Sequence, residues 1–199
     1  MHELIATGAD SSRSVVVPPF HHIDRLSTIT ADQKVLEKYS AANANILTVG
    51  RVVPHKNVHH LIEVFAHYFY EYNNKSRLIV VGKGGEGLST YSNLLHRAVQ
   101  KLGLANAVVF TGGVSDEQLK AYYLVADTFV TVSEHEGFCV PLVEAMACAL
   151  PVVATACLGP AHIITHGHDG LLVPVESLSE LAAAIRELMQ DEARRARLG

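Results

Sequence analysis

The sequence predicts an α/β protein, a Rossmann-like doubly wound parallel sheet of about six strands. From residue 45 onwards, short runs of valine, isoleucine and leucine alternate with longer segments in which apolar residues recur every three or four positions. The short runs are apolar throughout, which is typical of strands that helices cover on both faces. Such an alternation favours a parallel sheet with right-handed crossover connections.

The predicted strands are compact and have clear boundaries. The first two end at glycine, at Gly50 and Gly82, and the fourth runs into a polar stretch that begins at Ser133. In chain order, the predicted strands occupy residues 46–50, 77–81, 107–110, 128–132, 151–155 and 170–173.

The predicted helices are amphipathic, and several carry end signals. Asn57 is the expected N-cap of the first helix, Gly103 ends the second, and Ser115 with Gln118 forms a capping box before the third. Leu94 is assigned to the apolar face of the second helix. The apolar faces of five helices fall within residues 58–69, 94–102, 119–123, 141–150 and 178–189.

The first 45 residues are the least regular part of the chain. Residues 15–17 are a candidate short strand that two prolines would end, and residues 31–42 have the pattern of a polar helix with few core positions. We predict a linker, or the end of a preceding domain, over residues 1–45, and one ligand-binding domain over residues 46–199.

Composition limits the classes of function. A chain of 199 residues with 49% hydrophobic residues can bury one substantial core, and its net charge of −4 argues against nucleic acid as a partner. No apolar run reaches the roughly 18 residues that span a bilayer. Three scattered cysteines without metal-like spacing fit a reducing compartment. We therefore expect a cytoplasmic protein without a transmembrane segment.

Strand order places two loops at one crevice. In the usual order for this fold, 3-2-1-4-5-6, strands one and four are neighbours where the order reverses, and ligands bind beyond their carboxyl ends. The loops after these strands are the first loop, residues 50–57, and the second loop, residues 133–140. Two segments far apart in sequence are thus predicted to face one ligand.

The second loop has the features of an anion site. It runs from a strand into a helix, whose first N–H groups lack intrahelical partners. Pro141 suits the first helical position, and Gly137 lets the backbone bend close to a ligand. Glu136 and Glu144 bracket this helix start. The pattern indicates a ligand that has both an anionic part and hydroxyl groups.

The first loop supplies two cations. Arg51 offers a planar fork of donors and Lys56 a compact ammonium group, so that both suit a diphosphate beside the helix N-terminus. Glu144, one turn into the helix, suits two adjacent ribose hydroxyls. The alternative is that the cations are solvated surface residues and that the glutamates merely favour a helix start.

Six motifs occur in order on the predicted elements. They are Gly50-Arg51 with Lys56, the Val81-Gly82-Lys83-Gly84 turn, Phe110-Thr111-Gly112 with Val114-Ser115-Asp116, Ala126-Asp127, Glu136-x7-Glu144, and Gly170-Leu171-Leu172-Val173-Pro174. With this set, residues 46–190 resemble the C-terminal, donor-binding domain of retaining GT-B glycosyltransferases, in glycosyltransferase family 4. The resemblance implies the C-terminal half of a GT-B fold.

The resemblance also implies a role for each matching position. Arg51 and Lys56 would hold the diphosphate of a UDP-, GDP- or ADP-sugar, Glu136 would contact the donor sugar, and these three would be the catalytic groups. Glu144 would bind the ribose. Such enzymes need no metal or other cofactor, because cationic side chains and a helix dipole stabilise the leaving group. The remaining implied donor contacts are Gly50, Gly137, the backbone N–H groups of Phe138, Cys139 and Val140, and, near the base, Val114 and Asp116.

Three local features either allow two interpretations or depart from the resembled family. Relatives often carry glycine where this chain has Cys139, which we interpret as a tolerated small residue rather than a reactive thiol activated by the helix N-terminus. His55, His59 and His60 cluster by spacing, and we interpret them as a polar helix face rather than a metal site. Ala161-His162 stands where many relatives have Pro-Glu, which puts one acidic contact in doubt.

These features predict the donor-binding domain of a retaining, nucleotide-sugar-dependent hexosyltransferase in polysaccharide or glycoconjugate biosynthesis. The alternative is a nucleotide- or phosphate-binding module without catalysis, and an epimerase or phosphorylase of the same architecture is a third option. A carbohydrate or lipid-linked acceptor would bind to an N-terminal domain that this sequence lacks, so the chain alone is expected to transfer little sugar. The full-length protein is expected in the cytoplasm, free or peripheral to the inner face of the membrane.

Overall fold

The computed structural model describes residues 7–8, 10–13, 15, 23–40, 44–84 and 89–199. Its strands are β1 Asn45–Val49, β2 Arg77–Val81, β3 Val108–Gly112, β4 Thr128–Thr131, β5 Val152–Thr155 and β6 Leu171–Val173. They form one sheet in the order β3-β2-β1-β4-β5-β6, and each neighbouring pair is parallel. The predicted α/β class, strand positions and strand order are confirmed.

Helices cover both faces of this sheet. They are α1 Ile23–Thr28, α2 Gln33–Tyr39, α3 Val58–Glu71, α4 Ser89–Lys101, α5 Asp116–Val125, α6 Val140–Ala147, α7 Leu158–Ile163, α8 Leu178–Gln190 and α9 Glu192–Leu198. Buried residues of α3, α4 and α8 form one core with the sheet, and buried residues of α1, α2, α5 and α6 form a second core on the opposite face.

The two cores explain the continuous apolar runs of the strands. Adjacent residues of a strand point to opposite faces of a sheet. In β1, Ile46 belongs to the core beneath α3 and Leu47 to the core beneath α5, and both are fully buried. Leu78 and Ile79 of β2 divide in the same way. Each strand therefore needs apolar side chains at successive positions.

Most predicted helix ends agree with the structure. Ser115 accepts a hydrogen bond from the N–H of Gln118, and the Gln118 side chain accepts one from the N–H of Ser115, so the capping box at α5 is confirmed. Gly103, two residues after α4, has a φ of +69°, which glycine adopts readily. The prediction that Leu94 lies in the core is wrong. Leu94 is 50% exposed, because it lies beside the buried stripe that Leu95 and Val99 form.

Two short helices precede the sheet. The polar helix predicted within residues 31–42 exists as α2, and it buries Val35 and Tyr39 in the second core. Helix α1 was not expected; it buries Leu26, and the Lys120 ammonium group donates to the carbonyl of Ile29 just after it. Residues 23–40 thus pack on the domain, whereas the boundary at residue 45 stays a prediction. Most of the candidate strand at 15–17 lies outside the described residues.

None of the helices among the described residues is long and apolar enough to cross a lipid bilayer.

Candidate functional site

The two loops predicted to face one ligand are in contact. β1 and β4 are neighbours in the sheet, so their carboxyl ends lie side by side. The N–H of Glu134 donates to the carbonyl of His55 at 3.0 Å, and the side-chain amide of Asn57 donates to the Glu134 carboxylate at 3.0 Å. The predicted meeting of the first and second loops is confirmed.

The side chain of Asn57 does not cap α3 as predicted. Asn57 precedes α3, but its side chain makes no capping hydrogen bond to that helix, and its backbone is left-handed at φ +49°. Asparagine tolerates this conformation better than most residues. Its amide is used instead to tie the two loops together, through Glu134.

An ion pair joins the loops at their centre. The Lys56 ammonium group contacts the Glu136 carboxylate, and the two side chains are only 20% and 18% exposed. Lys56 lies at the end of a short 3₁₀ turn, Pro54–Lys56, that directs the chain back towards the second loop. An ammonium group has three donors, so the pair leaves Lys56 with capacity for a further anion.

Arg51 lies at the surface of the same site. It is exposed, and among the described residues its guanidinium group has no hydrogen-bond or ion-pair partner. Arg51 and Gly50 line a small cavity together with Lys56 and Thr131. A free guanidinium group beside a cavity with a second cation is suited to hold an anion with two charged groups.

The helix start at α6 presents free backbone donors. Its first residue is Val140, so Pro141 is the second helical residue rather than the first, and the cap position is Cys139. Among the described residues, no hydrogen bond uses the backbone N–H of Gly137, Phe138, Cys139 or Val140 as its donor. The first N–H groups of a helix carry the positive end of its dipole, so this helix start is suited to hold an anion.

Cys139 occupies a position that favours glycine. Its φ is +68°, in the left-handed region that costs a residue with a Cβ about 1–2 kcal/mol. Glycine adopts this conformation without that cost. Gly137, by contrast, is not in a left-handed conformation, and among the described residues an added Cβ would meet no atom within 4 Å. The backbone of this loop is thus left-handed at Cys139, and the close approach of a ligand at Gly137 stays a prediction.

The Cys139 thiol is buried rather than activated. Its residue is 4% exposed, and burial, followed by the nearby Glu136 carboxylate, raises the pKa of the thiol to about 11. The alternative of a reactive thiol with a lowered pKa is therefore wrong. The interpretation of Cys139 as a small residue that packs in the core agrees with its environment.

We expect Cys139 to resist alkylation by iodoacetamide in the folded protein. Alkylation requires the thiolate, and with a pKa of about 11 only about one thiol in a thousand is ionised at pH 8. Peptide mass spectrometry at pH 8 should show labelling of Cys139 at least about 100-fold slower than in the urea-unfolded chain. The rate should rise with pH towards 11. Rapid labelling of folded protein at neutral pH would contradict this assignment.

Gly159, which belongs to none of the sequence motifs, contacts the backbone of the second loop. The N–H of Gly159, in α7, donates to the carbonyl of Glu136 at 2.8 Å. A Cβ at Gly159 would lie 2.8 Å from that oxygen and 2.9 Å from the nitrogen of Phe138. The loop therefore rests directly on the α7 backbone. No pattern in a single sequence reports such an approach, because Gly159 itself has an ordinary backbone conformation.

Buried hydroxyl groups anchor the start of the same loop. Ser133 is completely buried, and its carbonyl accepts a hydrogen bond of 2.6 Å from Thr155 at the end of β5. The hydroxyls of Ser133 and Thr131 lie 3.4 Å apart. These contacts connect the loop to both strands that flank it, so that Glu136 is presented from a rigid base.

Glu144 is held by a buried tyrosine. The carboxylate lies one turn into α6 and accepts a hydrogen bond of 2.9 Å from the hydroxyl of Tyr123 in α5. Tyr123 is 1% exposed, and burial together with the carboxylate raises the pKa of its hydroxyl well above the usual range. Tyr123 therefore remains a donor. The periodic pattern of α5 places it in the core and indicates no polar role.

The predicted base-contacting residues follow β3. Val114 is half-buried against the second core, and Asp116 forms an ion pair with Arg25 of α1. The N–H of Gly82 donates to the carbonyl of Gly112, so the ends of β2 and β3 meet beside the first loop. Asp116 thus has a structural partner, and its contact with a nucleotide base stays a prediction.

The clustered histidines lie on α3 and just before it. The ring nitrogen Nδ1 of His59 is 3.1 Å from the hydroxyl of Tyr91, and the rings of His59 and His60 are 4.1 Å apart. Within the described ranges, no group of three or more histidine, cysteine, aspartate or glutamate residues is arranged to hold a metal ion. The expectation that the protein needs no metal stays a prediction.

Comparison with known proteins covers almost the whole chain. A family model described as glycosyl transferases group 1 matches residues 32–199. An exopolysaccharide phosphotransferase of Streptomyces coelicolor is 37% identical over 155 residues, which is 77% of this chain and 16% of that protein. A D-inositol 3-phosphate glycosyltransferase of Kineococcus radiotolerans is 33% identical over 207 residues, which is 96% of this chain and 47% of that protein.

The fold has a close structural counterpart. The crystal structure of HepE from Anabaena in complex with UDP and glucose superposes with a TM-score of 0.86 at 27% identity. The match covers 99% of this chain and 53% of HepE. This chain thus spans about half the length, or less, of these relatives.

Proposed function

This chain belongs to the glycosyl transferases group 1 family, and we propose that it forms the donor-binding part of a retaining, nucleotide-sugar-dependent hexosyltransferase. One observation carries this proposal: the loop that holds Arg51 and Lys56 contacts the loop that leads into α6, where β1 and β4 end, and within the described ranges the first N–H groups of α6 donate no hydrogen bond. Three cationic or donor features of this kind suit a diphosphate. The Kineococcus glycosyltransferase, which aligns with 96% of this chain, and the complex of HepE with UDP and glucose support the same ligand class.

Each part of the donor has its own set of residues in this proposal. Lys56, Arg51 and the N–H groups of residues 138–140 bind the diphosphate, and Gly50 and Gly137 let it approach the backbone. Glu144 accepts hydrogen bonds from the ribose hydroxyls, and Glu136 contacts a hydroxyl of the sugar. The base lies towards Val114 and Asp116.

The proposed chemistry is stabilisation of a leaving group. When the bond between the anomeric carbon and the β-phosphate oxygen breaks, both electrons of that bond go to the nucleoside diphosphate. Lys56, Arg51 and the helix dipole stabilise the charge that develops there, and they are positioned before the reaction begins. The acceptor hydroxyl attacks the anomeric carbon from the face that the nucleoside diphosphate leaves, which retains the configuration, and its proton passes to the departing phosphate oxygen. No resident metal is required in this scheme, and no covalent role is assigned to Glu136.

The acceptor belongs to another part of the protein in this proposal. The chain spans 47% of the Kineococcus glycosyltransferase and 53% of HepE. We infer that a carbohydrate or a lipid-linked glycan binds to a second domain that closes over this site. The alternative, a module that binds nucleotide or phosphate, uses the same crevice and differs only in that no sugar is transferred after binding.

Calorimetric titration with UDP-, GDP- and ADP-glucose, and with inorganic phosphate, tests the proposal. We expect one nucleotide sugar to bind at least about tenfold more tightly than phosphate, since it adds ribose, base and sugar contacts. Arg51→Ala and Glu144→Ala should each weaken that binding. If no nucleotide sugar binds better than phosphate, the donor site is refuted. Efficient transfer to a defined acceptor by this chain alone would refute the assignment of acceptor binding to a second domain.

A further inference from the structure

Tyr123 is buried beneath the proposed donor site and has its hydroxyl group aimed at Glu144. We propose that Tyr123 is a positioning residue that orients Glu144 and so contributes to selection of a ribonucleotide over a 2′-deoxyribonucleotide. The proposal rests on the assignment of Glu144 to the ribose hydroxyls.

The contact is directed by rigid surroundings. Tyr123 belongs to α5, its residue is 1% exposed, and its ring packs against that of Phe129 in β4 with 6.4 Å between centroids. Its hydroxyl lies 2.9 Å from Oε2 of Glu144 and 3.3 Å from the carbonyl of Pro141. Because the ring of Tyr123 is buried on all sides, it has no room for another rotamer. The packing of the core therefore determines the position of its hydroxyl.

The hydroxyl can only donate to its two neighbours. A carboxylate and a backbone carbonyl both accept hydrogen bonds, and Tyr123 keeps its proton because burial and Glu144 raise the pKa of the hydroxyl. Of the two acceptors, the carboxylate is closer and charged. Tyr123 therefore favours the rotamer that brings Oε2 to it, and leaves Oε1 and one lone-pair direction of Oε2 for an incoming ligand.

This arrangement matters for a diol ligand. A glutamate side chain has three rotatable bonds, and ordering it on binding opposes association. A carboxylate that is oriented in advance can accept from the 2′- and 3′-hydroxyls together without that cost. Loss of the orienting hydroxyl should therefore weaken the binding of a ribonucleotide and have little effect on a 2′-deoxyribonucleotide, which offers only one of the two hydroxyls.

Neighbouring Tyr122 provides a matched control. It precedes Tyr123 in α5 and is 7% exposed, and its ring packs at a tilt against that of Tyr39, with 5.7 Å between the centroids. No hydrogen bond between Tyr122 and Glu144 occurs among the described residues. Tyr122→Phe thus removes a buried tyrosine hydroxyl from the same helix without touching the carboxylate.

The test compares dissociation constants for UDP, GDP and ADP with those for their 2′-deoxy forms. We expect Tyr123→Phe to reduce the preference for the ribonucleotide about fivefold or more, as loss of one hydrogen bond to a charged group predicts. Tyr122→Phe should leave that preference unchanged. Thermal unfolding establishes that each variant is folded; if Tyr123→Phe is unstable, the same titrations at low temperature with sucrose provide the ratio.

The outcomes separate the two levels of the proposal. If the natural chain prefers the ribonucleotide and Glu144→Ala abolishes that preference, but Tyr123→Phe retains it, the role of Tyr123 is refuted and the donor site stands. If the natural chain binds both forms equally, the role of Glu144 is refuted, and the role of Tyr123 is refuted with it. A reduced ratio in Tyr123→Phe alone supports the inference, because a purely structural role would weaken both ligands alike.

Discussion

Replacement of Lys56 by alanine is expected to weaken the binding of a nucleoside diphosphate about 100-fold, or about 2.8 kcal/mol. Two effects add in the same direction. The variant loses a charge-assisted contact with the diphosphate, and it leaves the Glu136 carboxylate, 18% exposed, without its cation beside an anionic ligand. Isothermal titration with UDP, GDP and ADP measures the effect, and far-ultraviolet circular dichroism establishes that the fold is intact.

Substitution of Glu136 provides a control for which the opposite effect on nucleotide affinity is expected. Glu136→Gln keeps the size of the side chain but removes the charge that competes for Lys56, so nucleoside diphosphate should bind as well as before or more tightly. The double variant Lys56→Ala with Glu136→Gln should recover part of the loss seen in Lys56→Ala. Equal affinities for the natural chain and Lys56→Ala would show that the ammonium group serves only to join the two loops.

Replacement of Gly82 by alanine is expected to lower the free energy of unfolding by about 4 kcal/mol. A Cβ at this position would lie 1.8 Å from the carbonyl oxygen of Gly50, and the φ of Gly82 is +145°. The clash is with backbone atoms, so no side-chain rotation relieves it. The ends of β1 and β2 would have to separate, which would also displace the first loop. The unfolding midpoint should fall by about 10 °C.

Gly84 is the matched control for this substitution. It lies two residues further along the same turn, and an added Cβ would meet no atom of the described residues within 4 Å. Gly84→Ala should therefore change the unfolding midpoint by no more than about 2 °C. If Gly82→Ala and Gly84→Ala unfold at the same temperature, the close approach of Gly82 to Gly50 is not a constraint on the fold.

Periodicity in the sequence was enough to predict which two loops meet at the candidate site, because their meeting depends on strand order. Residues such as Ile46 and Leu47 of β1 must both be apolar when each faces a different helical layer, and that requirement is visible in the sequence. Once the strands were recognised, the usual strand order of this fold predicted that the loops after β1 and β4 meet. Contacts between Glu134 and both His55 and Asn57 agree with this expectation.

The supporting residues could not be found in the same way. Tyr123 has the spacing of a core residue, and nothing in its neighbours along the chain indicates that α6 brings Glu144 to its hydroxyl. Gly159 has an ordinary backbone conformation. A side chain is excluded at this position only because the second loop packs directly against it. The prediction for Leu94 is wrong because this residue lies at the margin of the apolar face of its helix. Tertiary packing decides which residues at such a margin are buried.

The sequence by itself determined the α/β class and the strand positions and, with the usual strand order of this fold, the two loops that meet at the candidate site, since these depend on hydrophobic periodicity and the rules of parallel sheets. Only the tertiary structure decided how the charged groups pair: Lys56 with Glu136, Asp116 with Arg25, and Glu144 with Tyr123. The physical reason is that the buried face of a helix or strand is predicted from a periodic pattern of many residues, so that one exception changes little. A hydrogen bond or ion pair depends on a few ångströms between groups that are far apart in the sequence, 91 positions for Arg25 and Asp116 (116 − 25 = 91).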